Sequence, residues 1–257
     1  MKTNRYSTWG MALGLLLAVV LHAPAQWLAS GVNAASRGHV QLRDAQGTVW
    51  QGHAQWVLTS GPGGQDALAL PQRLHWQWQP QWSGLQLQLK ADCCTPEPVL
   101  LSLQPQWLGV RVSLTSPRSV WPAQWLSGLG APWNTLALAG VLQLHSENIS
   151  WSWRSQAAGW GAFSGSAELQ LRQLTSGLST IKPLGSYSLR LQGGDVPSLV
   201  LSTTDGPLLM QGRGAFGARG FSFEGQARAN TGFESALANL LGVLGQRVGN
   251  HTVLRWG

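Results

Sequence analysis

The chain has 257 residues, enough for one large or two small domains with a core of their own. Only 11% of residues are charged, against roughly 25% in an ordinary soluble domain, while 44% are hydrophobic; disorder pairs low hydrophobicity with high charge, so this is not a disordered chain. The net charge is +7, but its basic residues stand singly from Arg37 to Arg255, with no run or stripe, and reflect a shortage of carboxylates rather than a nucleic-acid footprint.

In chain order, the first feature is apolar. Between Arg5 and Arg37 no residue is charged, with His22 counted as neutral, and 9–21 is continuously apolar or Gly. The wider span 9–28 matches a hydrocarbon core of about 30 Å at 1.5 Å per helical residue. Trp9 and Trp27 stand near its ends, where indoles favour the interface. Lys2 and Arg5 precede it, so the positive-inside rule keeps 1–8 cytoplasmic, makes 9–28 a transmembrane anchor and exports 29–257. A signal peptide is the rival reading, because Ala23-Pro24-Ala25 before Gln26 has the small-x-small form of a cleavage site.

The exported body reads as strands. Segment 38–58 reads as short strands with turns around Gly47 and Gly52, and Gly61-Pro62-Gly63-Gly64 is a loop. Trp76 and Trp78 lie two apart on one strand face, 85–90 alternates strictly, and 99–103 and 109–114 continue the pattern. Pro122 opens a short helix over 123–129, ended by Gly130. Strands resume at 136–144, 149–154, 167–172 and 187–191, then at 199–202, 208–212 and 220–229, with turns at 205–207 and 214–219. Thr231-x-x-Glu234 has the form of a capping box before Phe233, Leu237, Leu240, Leu241 and Leu244 at helical spacing, with Gly245 as the stop and a last strand at 253–256. The fold expected is all-β, mostly antiparallel, an open twisted sheet or β-groove, with one N-terminal transmembrane helix and a short C-terminal amphipathic helix. Fifteen Trp against two Tyr and five Phe imply many indoles half-buried on such a sheet, each needing one N–H partner.

Chemistry-bearing motifs are sparse. The sequence contains no H-E-x-x-H, G-x-S-x-G or P-loop; the six His are far apart, and only His145 has a carboxylate nearby, at Glu147. Gly212-x-Gly214-x-x-Gly217 has the spacing of a dinucleotide fingerprint, but strand-like residues follow where a helix is needed, so hairpin glycines are the better account. No catalytic, cofactor-binding or metal residue is assigned, and no cofactor is expected. Cys93 and Cys94 are the only cysteines; being adjacent they either form a vicinal disulfide that locks a turn or remain two thiols. The Trp pairs are structural by default, with a lipid or sugar surface as the functional alternative.

Three segments together carry a resemblance. They are Ala23-Pro24-Ala25-Gln26-Trp27-Leu28; Ala45-Gln46-Gly47-Thr48-Val49-Trp50-Gln51-Gly52; and the stretch from Asp205-Gly206-Pro207-Leu208 through Gly212-Arg213-Gly214, Gly220-Phe221-Ser222-Phe223-Glu224-Gly225-Gln226-Ala227 and the helix at 233–245 to Leu254-Arg255-Trp256. In order and spacing the chain resembles the type II secretion system protein N (GspN) family over nearly its whole length. The resemblance implies a non-enzymatic, single-pass inner-membrane subunit with an uncleaved anchor. It implies contacts with other secretion subunits, the secretin or the inner-membrane platform. It also implies a body similar to periplasmic lipid-handling β-grooves, which leaves a lipid-binding or lipid-transfer protein as the alternative. No family motif matches Cys93-Cys94 or 121–133.

Overall fold

The computed structural model describes residues 4–154, 162–217 and 220–257. Two helices come first, α1 (Asn4–Leu21) and α2 (Ala25–Ala35). The 9–28 segment is therefore not one helix. Pro24 cannot continue the backbone ladder, and Ala23 and Pro24 instead dock on the turn at 48–50: Val49 N donates to Ala23 O (2.8 Å), Pro24 bridges to Thr48, and Trp50 Nε1 donates to Val20 O (2.7 Å). The apolar run left on α1, residues 9–21, covers roughly 20 Å. No helix among the described residues is long and apolar enough to cross a membrane, which corrects the expectation of a full-length span over 9–28.

Most of the other described residues form one antiparallel sheet of 14 strands. Its strands are β1 (Val40–Gly47), β2 (Gln51–Thr59), β3 (Ala67–Gln81), β4 (Gly84–Ala91), β5 (Val99–Gln106), β6 (Gly109–Pro122), β7 (Ala139–Arg154), β8 (Ala162–Thr175), β9 (Gly185–Gly194), β10 (Ser198–Asp205), β11 (Leu208–Gly217), β12 (Gly220–Ala229), β13 (Gln246–Val248) and β14 (His251–Trp256). Strands β1 to β12 pair in sequence order, followed by β14 and then β13. The expected class, all-β with an open and mostly antiparallel sheet, is the one observed.

Register explains the composition. Directly paired residues share a face, and one face is apolar across the sheet: Trp78 pairs with Leu87, Leu87 with Leu101, Leu101 with Leu114 and Leu114 with Ile149. Farther on, Leu144, Leu169, Leu189 and Leu201 form the same kind of ladder. The opposite face is a Gln and Ser ladder; Gln88 Nε2 donates to Gln79 Oε1 (3.1 Å), and the Ser150 and Ser164 hydroxyls lie 2.8 Å apart. Neutral amides and hydroxyls thus solvate this face with few charges.

Because Leu136 closes a short helix (Trp133–Leu136), segments 136–144 and 149–154, expected as two strands, fall only from Ala139 onward on one strand, β7. Its apolar positions change parity from Leu142 and Leu144 to Ile149 and Trp151. A bulge restores the phase where Asn148 adopts φ 49° and the register shifts between Glu147 and Ser150. Strand β6 makes the matching change between Leu114 and Trp121, with register shifts on either side of Ser116.

All covering elements sit on the apolar face. A 3-10 helix (Ala123–Leu129), with α3 (Trp133–Leu136) after it, lies over β2 and β3. A Cβ on its Gly128 would meet Leu58 O at 2.5 Å and Leu68 N at 2.9 Å, so only Gly permits this approach. Helix α4 (Glu234–Leu244) buries Leu237, Leu240 and Leu241 against Leu208, Phe223, Ala227 and Leu254. The capping box expected at Thr231 and Glu234 does not form. Glu234 is the first helical residue rather than the third, so its Oε2 accepts from Gly232 N (2.9 Å), while Asn230 Oδ1 accepts from Thr231 N (2.9 Å).

Candidate functional site

Four places in the fold collect side chains with chemical or binding character. The first is the β4–β5 turn. Cys93 and Cys94 are joined there by a disulfide, and the turn is tied down by Cys94 N and Thr95 N, which both donate to Ala91 O (2.8 Å each). Thr95 Oγ1 accepts from Ala91 N (2.8 Å), and Val120 N donates to Cys94 O (2.7 Å). Cys94 is 2% exposed and packs with Leu58, Leu70, Leu74 and Trp125. Beside it three indoles form a box. Trp121 stacks on Trp125 (5.6 Å between centroids, 14°), and Trp56 meets Trp125 edge-on (4.7 Å, 87°). Trp125 Nε1 donates to Leu68 O (3.1 Å). Trp56 Nε1 finds no hydrogen-bond acceptor among the described residues.

The second place is the polar face. A cleft of about 1030 Å³ there is lined by Glu168, Gln170, Arg172, Ser188 and Arg190, among others. Ser188 Oγ donates to Glu168 Oε1 (2.8 Å), Gln170 Nε2 donates to the same oxygen (3.2 Å), and Arg190 lies 3.6 Å from Oε2. The Ser188 hydrogen bond, then that of Gln170, with Arg190 adding, hold this carboxyl below the usual range. The donors are spent on Glu168, so the group orders the sheet surface rather than poising an acid for proton transfer.

The histidines give a result that sequence spacing did not anticipate. His53 and His75 face each other across β2 and β3 with rings 5.5 Å apart. Lys90 is the cross-strand partner of His75 and its ammonium pairs with Asp92 (3.3 Å), and two imidazoles fall short of the three or four ligands of a zinc site. His145 Nε2 lies 3.3 Å from Glu147 Oε1, and no group of three or more metal-ligating side chains occurs among the described residues. Gly212, Gly214 and Gly217 lie on β11, paired with β12, and not before a helix. A side chain at Gly212 would collide with the Phe223 ring, and one at Gly214 would meet Phe221 Cε2 at 2.9 Å, so these glycines make room for rings. Of the turn expected at 214–219, residues 218 and 219 lie outside the described residues.

The third place is the middle of the apolar face, which no helix among the described residues covers. Between the helical covers, Leu101, Leu103, Val112 and Leu114 are half-buried, and Val110, Trp151 and Trp153 are exposed. The fourth is α1, on which Trp9, Met11, Leu13, Leu15, Leu16 and Leu17 are all exposed.

One titratable group in the core carries a testable consequence. Tyr187 is buried, its hydroxyl donates to Leu208 O (3.0 Å), and burial pushes its phenol far above 10. The folded-state pKa is raised, so the stability it contributes is complete below the unfolded value near 10 and is lost as pH rises beyond it. In an alkaline titration, Tyr187 is expected to ionise only together with unfolding, seen as phenolate absorbance tracking loss of the far-ultraviolet strand signal. Tyr187→Phe should lower stability by about 1 kcal/mol at neutral pH and abolish that coupling.

Against known proteins, the family model of type II secretion system (T2SS), protein N, matches residues 38–254. That stretch includes all fourteen strands except the last two residues of β14, together with α4. Neither curated proteins nor solved structures gave a match.

Proposed function

We propose, from the premise that this chain belongs to the type II secretion system protein N family, that it serves as a non-enzymatic subunit held at the inner membrane. Membership makes it a component of the type II secretion system, a protein-secreting assembly associated with the cell envelope. In this reading α1 is the retained anchor, with residues 1–8 cytoplasmic and the body from 29 to 257 periplasmic. Its support is that α1 is apolar over its described surface and buries none of it on the sheet, a surface that water does not favour. The part of α1 that enters the bilayer is its apolar run, residues 9–21, roughly 20 Å, accommodated as a short span by local thinning of the bilayer. The body's contacts go to the secretin or the inner-membrane platform. Isolation of the full chain from membranes of a secreting strain should bring secretion subunits with it, and its deletion should reduce exoprotein release. Unchanged secretion together with no association would refute the role.

A second reading, a lipid-holding body, is favoured by the uncovered strip around Val110, Trp151 and Trp153. Native mass spectrometry of the purified chain should then show acyl lipid, and lipid-free protein would remove this reading.

The Cys93–Cys94 disulfide belongs to the proposal as a device of the oxidising periplasm. Thiol titration of the exported chain, unfolded under non-reducing conditions, is expected to give no signal; two thiols per chain would overturn it.

A further inference from the structure

In this meander the β1–β2, β3–β4 and β5–β6 hairpins turn at the same end of the sheet. The turns at 48–50, 82–83 and 107–108 therefore lie together, while the Cys93–Cys94 turn and the 3-10 helix lie at the other end. Two of the tips repeat a motif: Gln79-Pro80-Gln81-Trp82-Ser83-Gly84 and Gln104-Pro105-Gln106-Trp107-Leu108-Gly109. Each is a two-residue turn, closed by the pairs Gln81–Gly84 and Gln106–Gly109. Trp82 is fully exposed and Trp107 is 97% exposed, and two strand spacings set the tips roughly 10 Å apart. The uncovered apolar strip opens to this same end, since Val110 pairs with Pro105 and with Trp153.

We infer that this end of the sheet docks into the headgroup region of a phospholipid bilayer, with Trp82, Trp107 and Leu108 as the inserted residues. The inference rests on the reading of α1 as the anchor. The C-terminal end of α1 is bonded to the 48–50 turn through Trp50 Nε1 on Val20 O and Val49 N on Ala23 O. An apolar run of roughly 20 Å is shorter than the 40–45 Å of a bilayer with its headgroups, so that bonded end stays inside the interface. Tips at the same end are thereby held at headgroup height, where indoles partition best. No charged residue occurs in 79–84 or 104–109, so insertion is apolar in origin and insensitive to salt. A protein partner fits less well, because the indoles stand on separate tips that extend along the strands, toward the side from which α1 leaves.

The test uses the full chain in phosphatidylcholine nanodiscs with spin labels at Trp82→Cys, Trp107→Cys, Leu16→Cys and Glu97→Cys, one at a time, and the parent chain as background for Cys93 and Cys94. Glu97 is exposed in the turn at the opposite end. Labels at 82 and 107 should be several-fold less accessible to an aqueous relaxation reagent than the label at 97, and unchanged by salt. Aqueous labels at 82 and 107 beside a membrane-buried label at 16 would overturn the docking and leave the anchor standing; an aqueous label at 16 as well would overturn the anchor itself. Protection at 82 and 107 that persists in lipid-free protein and grows with its concentration would assign the end to a second copy of the chain and overturn the inference.

Discussion

Trp125→Ala should cost about 3–5 kcal/mol, a large share of the roughly 5–15 kcal/mol that holds a domain together. Trp125 is 8% exposed and lies in the 3-10 helix that covers β2 and β3. Its removal opens a cavity lined by Leu58, Leu70, Leu74 and Cys94. It also deprives Leu68 O of its indole donor and removes the rings' mutual contacts, worth about 0.5–1.5 kcal/mol a pair. Gly128 lies against the β2–β3 backbone only while this helix is held down, so the whole 123–129 segment should loosen. Denaturant unfolding gives the magnitude, and hydrogen exchange should show lost protection in β2 and β3. A loss below about 1 kcal/mol would mean that the indole box is not what fastens this cover.

Much of the sheet was legible before folding because its signals are local. Strict alternation at 85–90, 167–172 and 187–191 marks half-buried strands, and these are β4, β8 and β9. Bulges escaped, because Asn148 and Gln173 give no glycine signal for their φ of 49°, and a parity change such as Leu144 to Ile149 reads as a strand break until both neighbours are known. Pro24 was visible as a helix breaker, yet only the 48–50 turn that receives Ala23 and Pro24 decides that α1 ends at Leu21. The His53–His75 pair is a matter of register, which spacing along one strand does not report. The resemblance to type II secretion system protein N agrees with the family match over 38–254. The hairpin tips were illegible for a different reason. A turn bearing Trp looks like any surface loop until topology shows that alternate turns share an end, and that α1 leaves from that end too.

Leu240→Asp is the second large effect, expected at about 4 kcal/mol or more because a carboxyl replaces a side chain that is 2% exposed. Helix α4 is held by Leu237, Leu240 and Leu241 on β12 and β14, so an acid there undocks it and exposes Phe223 and Leu254. The damage should nevertheless stay local. Each strand pairs mainly with its sequence neighbours, as in a repeat array, where stability is a sum of adjacent terms. The Trp125 cluster is distinct from the α4 cluster, and Trp121 is a side chain packed against both. Hydrogen exchange on Leu240→Asp should therefore show protection lost in α4, β12 and β14 while β2 to β4 keep theirs, the reverse of Trp125→Ala. The double variant should be additive within about 0.5 kcal/mol, as for sites that do not touch each other. A coupling well beyond that would show that Trp121 transmits packing between the halves, so that the β2–β3 region and the α4 end of the sheet unfold as a single unit.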